Sequence, residues 1–88
     1  MFRLWGKIMK ENRMVQDAVI SNGDYSMSRT AMVLDAVDQL CYRFDLGHPV
    51  WLDKTVEEFR RHDKARFTQD NFIESIEFDY LEIQVLEE

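Results

Sequence analysis

The chain has 88 residues, 45% of them hydrophobic, with two Trp, three Tyr and six Phe. That supports one modest core, burying roughly 60–65% of the unfolded chain's surface, and leaves no room for a catalytic domain plus an appendage. The formal charge of −6, from 17 acids against 11 bases, opposes nonspecific binding to nucleic acid or anionic membrane, because both require a positive field.

The single cysteine, Cys41, permits no internal disulfide and gives no sign of an oxidising compartment. Charges interrupt every apolar run from Met1 to Lys7. A signal peptide needs an unbroken apolar region of about 7–15 residues and a membrane span about 20, and neither is present. One cytoplasmic domain covering residues 1–88 is expected.

In chain order, Phe2 to Lys10 alternates Phe2, Leu4 and Ile8 against Arg3, Trp5, Lys7 and Met9. The period of two predicts a strand, weakened at Gly6. Glu11-Asn12 suits a tight turn, since Asn tolerates positive φ. Arg13 to Ile20 then reads as the returning strand of a hairpin, with apolar residues on both faces. Ser21-Asn22-Gly23-Asp24 is a loop.

A helix follows, with Ser28 as N-cap. Val33, Ala36, Val37, Leu40, Cys41 and Phe44 keep three-and-four spacing on one face, with Asp35, Asp38, Gln39, Arg43 and Asp45 on the other. Gly47 is placed to end this helix as C′, and Pro49 forbids continuation. Val50-Trp51-Leu52 reads as an extended apolar anchor. Asp53 would cap a shorter helix to about His62, with Val56 and Phe59 inward and Glu57→Arg61 paired outward. Phe67 to Phe72 reads as irregular, with Thr68 capping one turn.

The last fourteen residues alternate in one frame (Ile76, Phe78, Tyr80) and then in the other (Leu81, Ile83, Val85). This predicts a strand with a bulge, or one with apolar neighbours on both sides. Residues 1–13 hold Arg3, Lys7, Lys10 and Arg13 against Glu11 alone, whereas residues 70–88 hold seven acids and no base. Opposite charges across neighbouring strands contribute about 0.2–1 kcal/mol per pair, so the last strand is expected beside the first. The expected fold is α+β: a β-β-α-α-β two-layer sandwich. Its three-stranded antiparallel or mixed sheet has order 2-1-3, with the acidic strand at an edge, and the helices cover one face.

Chemistry finds little purchase in this pattern. Cys41 falls on the apolar helical stripe and reads as core. His48 and His62 are fourteen residues apart and form no metal-binding spacing; His48 suits a helix C-terminus, and His62 a solvated helix end. Glu77 and Asp79 share one strand face and could act as acid and base, but serve better as partners of Arg3 and Lys7. No glycine-rich phosphate cradle occurs. Neither enzyme activity nor a cofactor is expected.

Two surfaces remain. Trp5 and Met9 share the side of the first strand that the helices are not expected to cover, joined by Val15 and Val19, or else by Met14 and Ala18, and by the last strand's outer residues. An apolar patch of several hundred Å² there would mark a protein interface, with a second copy or another chain. Alternatively, Arg60, Arg61, Lys64 and Arg66 would form an anion or nucleic-acid patch, although Glu57, Glu58 and Asp63 nearly neutralise it.

The start Phe2-Arg3-Leu4-Trp5-Gly6-Lys7-Ile8, the stretch Pro49-Val50-Trp51-Leu52, Glu58-Phe59, Phe67, Asp70 to Glu74 and Phe78 to Ile83 together resemble a family of small uncharacterised bacterial proteins. The resemblance implies a free-standing cytoplasmic bacterial protein and, since that family carries no established activity, transfers no catalytic or ligand residues.

Overall fold

The computed structural model describes residues 1–88 and begins with a β-hairpin. Strand β1 (Phe2–Lys10) pairs antiparallel with β2 (Arg13–Asn22). Glu11 and Asn12 alone connect them, with φ of 53° and 63°. Positive φ at both positions of a two-residue loop is the type I′ geometry, whose twist matches the flanking strands. Strand β2 continues through Asn22, so the loop begins two residues later than expected. The register slips between Ile8 and Met9, leaving Val15 as the extra residue of a bulge.

Helix α1 (Arg29–Arg43) starts as predicted, with the Ser28 hydroxyl accepting from the Ala31 amide at 3.1 Å. Its end differs. Asp45, with φ of 58°, takes the left-handed C′ position expected for Gly47. The Leu46 amide donates to the Cys41 carbonyl and the Asp45 amide to Tyr42, the two bonds of a Schellman ending. Met32, Val33, Ala36, Val37, Leu40 and Cys41 are buried against the sheet. Leu40 lies directly over Gly6, where a Cβ would come within 2.6 Å of a Leu40 methyl. The glycine that weakens the strand in isolation is what lets the helix approach it.

Helix α2 (Asp53–His62) is capped by Leu52 without a side-chain bond, so Asp53 is its first residue and not its cap. Thr55 and Phe59 face inward, while Val56 is 39% exposed. The Glu57–Arg61 pair forms on the outer surface at 3.0 Å.

Two residues later the chain departs from the expected path. Asp63, at φ of 53°, reverses it, and Lys64–Phe67 forms a fourth strand, β3. One turn at Gln69–Asn71 follows. The Thr68 amide donates to the Asn71 side-chain carbonyl, and the Asn71 side-chain NH2 donates to Val50 O and Thr55 Oγ1. Asn71 is 1% exposed, yet every part of its amide is used. It ties the 50–52 anchor, α2 and the turn into one unit.

The last strand, β4, spans only Tyr80–Glu87. Residues before Tyr80 have no strand to pair with, because β1 ends at its turn. The Asp79 amide donates to Met9 O, the Glu11 amide donates to the Asp79 carboxylate, and Ile76 N–H donates to Gln69. The change of frame in the sequence is therefore the junction of loop and strand: Ile76 and Phe78 pack on the core from the loop, while Leu81, Ile83 and Val85 point inward from β4. The one register slip in the β1–β4 pairing falls later, between Arg3 and Leu4, and leaves Leu86 as the extra residue.

The sheet is four-stranded and wholly antiparallel, in the order β2-β1-β4-β3. The charge argument places β4 beside β1 correctly. It misplaces β4 at an edge, because β3 pairs along its other side. Phe2, Leu4, Ile8, Ala18, Ile20, Ala65, Phe67, Leu81 and Ile83 on the inner face join both helices in one core.

Candidate interaction surface

Both helices pack on the inner face, and the side chains of the outer face cover only one another. The registers Asp17↔Lys7, Lys7↔Glu82 and Glu82↔Arg66 place four charged residues in one row across all four strands. Lys7 Nζ lies 2.8 Å from Glu82 Oε2, and Arg66 Nε lies 3.1 Å from Glu82 Oε1. Glu82 is 6% exposed although nothing but neighbouring side chains lies over it. Burial opposes its charge, and the hydrogen bonds from Lys7 and Arg66 outweigh it, so its carboxyl is held below the usual range.

Aromatic rings extend the row. Trp5 Nε1 donates to Asp17 at 2.9 Å. Lys7 Nζ lies 4.1 Å from the Trp5 ring centroid, and the Arg66 guanidinium 4.5 Å from that of Tyr80. These are cation–π distances. They hold both rings in place, and both residues are partly exposed.

Of the four residues expected at an interface, Trp5, Met9 and Val19 share this face, with Val19 opposite Trp5. Val15 sits at the bulge, 56% exposed. Met14 lies across from Met9, whereas Ala18 points into the core. The surface is not a continuous apolar patch; it is an apolar and aromatic field crossed by a charge row.

The basic residues 60–66 divide. Lys64 and Arg66 lie on the outer face of β3, opposite Gln84 and Glu82. Arg61 pairs with Glu57 on α2. Arg60 borders a groove of about 470 Å³ between the helices, floored by Val33, Trp51 and Phe59. The four do not form one patch, because strand β3 turns the second pair away from the helix.

Glu77 and Asp79 do not face Arg3 and Lys7 as expected. Both precede β4, and the positions opposite Arg3 and Lys7 belong to Glu87 and Glu82. Asp79 serves the hairpin turn instead. Cys41 is fully buried, and burial, with Asp38 nearby, pushes its thiol up to about 11, which disfavours the thiolate. His48 Nδ1 lies 2.9 Å from Asp38 on α1. No group of three or more His, Cys, Asp or Glu is arranged to hold a metal ion. A second cavity of about 490 Å³ lies between the 44–48 and 72–78 loops, with Asp45, Glu74 and Glu77 in its wall. No helix is long and apolar enough to cross a membrane.

Sequence reading included the last strand's outer residues without choosing between its two frames, so Tyr80, Glu82 and Gln84 were not singled out, and it missed Asp17. The signal was present in the parity of β4: once Leu81, Ile83 and Val85 point inward, Tyr80, Glu82 and Gln84 must point outward. Comparison with protein-family models, with curated proteins and with solved structures found no match.

Proposed function

We propose that this is a small cytoplasmic protein-interaction domain, acting as an accessory protein without catalysis, whose contact surface is the helix-free face of the sheet. The observation that carries the reading is the organisation of that face. Trp5 and Tyr80 are pinned by cations 4.1 and 4.5 Å from their rings. Rigid amphipathic aromatics with few rotamers to lose favour protein contacts. A solvated face with no contact to make would need neither the rings nor a glutamate at 6% exposure.

The test is the size of the native assembly. The tagged chain, expressed at natural abundance in its own cells, is expected to elute well above its 10.6 kDa mass. Trp5→Asp should return it to single-chain size with its far-UV circular dichroism unchanged. A wild-type chain at single-chain size, or a Trp5→Asp variant that stays in the large assembly, overturns the reading.

The anion-binding alternative through Arg60, Arg61, Lys64 and Arg66 is disfavoured, because Glu57 and Glu82 already engage Arg61 and Arg66.

A further inference from the structure

Resting on that reading, the geometry points to a second copy of this chain as the occupant of the face, seated about a two-fold axis that runs parallel to the strands between β1 and β4. The argument is one of charge order. Across β2-β1-β4-β3 the central row reads Asp17, Lys7, Glu82, Arg66, alternating in sign. A two-fold axis in the plane of the interface and parallel to the strands keeps each row at its own height and reverses its order. Asp17 then meets Arg66 of the second copy, and Lys7 meets Glu82, so every position of the row faces its opposite.

The rows on either side obey the same rule. Arg3 is paired with Glu87 across β1 and β4, Trp5 with Gln84, and Met9 with Tyr80. Reversal sets Arg3 against Glu87 of the second copy, the indole against a side-chain amide, and the thioether against a phenol ring, a favourable sulfur–aromatic contact. An in-plane axis perpendicular to the strands, along the row, would set Asp17 on Asp17 and Lys7 on Lys7, which is repulsive throughout. Packed sheets lie about 10 Å apart, a gap that an extended arginine and an aspartate close together. Arg66 is 55% exposed and Asp17 is exposed, so each can reach across by sharing the group it already bonds, Glu82 and Trp5 respectively, while the less accessible Lys7 and Glu82 form an alternating cluster at the centre. The arrangement is isologous and closed, which makes it a dimer and not a filament.

The purified chain is expected to be a dimer by size exclusion with light scattering over a concentration series. Asp17→Arg and Arg66→Asp each create two like-charge contacts in such a dimer and should raise its dissociation constant roughly 100-fold. Mixed in equal amounts, they should form a heterodimer of near wild-type stability, since each introduced charge then meets its opposite. Positions 17 and 66 lie three strand spacings apart in one chain, about 14 Å, so this rescue cannot arise within a monomer. Circular dichroism checks that both variants fold.

A second measurement is independent of those charges. Val19→Cys mixed with Lys64→Cys should cross-link through a short bismaleimide well above either variant alone. A dimer that Trp5→Asp disrupts, but in which mixing fails to rescue and the cross-link does not form, overturns this arrangement and leaves the interaction face standing. A purified chain that is monomeric while the native assembly is large overturns self-association alone.

Discussion

On the helix side of the sheet, Phe2, Leu4, Phe67, Leu81 and Ile83 are fully buried beneath α1 and α2. On the other side, one residue along the same strands, Lys7 and Glu82 reach low exposure by packing against one another, with the more exposed Arg66 bonded to Glu82. Period-two alternation supplies both faces from one backbone. What differs is the means of closure. The inner face is closed by apolar area, which is non-directional and scales with the surface removed from water. The outer face is closed by directional contacts, which leave part of its polar surface at the solvent. Burial therefore marks the core on one side, and on the other a charge row laid over its own acid.

Breaking the inner face should have the largest effect. Phe67 is fully buried and packs edge-on against Trp51 with centroids 4.9 Å apart. Phe67→Ala should cost about 3–5 kcal/mol, read as a lower denaturation midpoint in urea at unchanged slope. A loss under about 1 kcal/mol would show that β3 is dispensable to the core.

The outer face should respond less, and in a pH-dependent way. Glu82→Gln removes two charge-assisted bonds and should cost about 1–2 kcal/mol at neutral pH. Since the Glu82 carboxyl is held below the usual range, its contribution is present above the unfolded pKa of about 4.3 and lost as the pH falls through the lower folded value. Wild type and variant should therefore converge in stability as the pH falls from about 4.3 through that lower value. Parallel curves throughout the acid range would sink this account of the row.

The hairpin turn, which both faces share, should show the smallest effect. Glu11 holds φ of 53°, where a side chain is strained. Glu11→Gly should stabilise by about 0.5–1 kcal/mol, seen as a small rise in Tm; a fall would assign the Glu11 side chain a role beyond its backbone bond to Asp79.

How much of this was legible beforehand varies with the range of the interaction. Helix α1 could be placed from Ser28 and the spacing of its apolar face, and the hairpin from Asn12, because caps and turns act within a few residues. Its ending was misread at Gly47 because Asp45, a residue that also tolerates positive φ, took the position two residues earlier. Strand β3 was hidden inside a run of bases. Lys64-Ala65-Arg66-Phe67 alternates in period two, but over four residues that signal is weaker than the helical one preceding it. Asn71 looked like part of a loop, since nothing local shows that its amide will bridge residues 50, 55 and 68.

By itself the sequence determined the class of the fold, its two helices, the first hairpin and the adjacency of β1 and β4, because propensity, capping and net charge are properties of short segments or of composition. Only the tertiary structure decided that β4 lies inside the sheet, that Gly6 makes room for Leu40, and that Asp17, Lys7, Glu82 and Arg66 stand in one row. Each of these depends on strand register, and register is set by which strands pair and where each one ends. Those choices are made by contacts between residues as much as about 80 positions apart in the chain, beyond the reach of any local pattern.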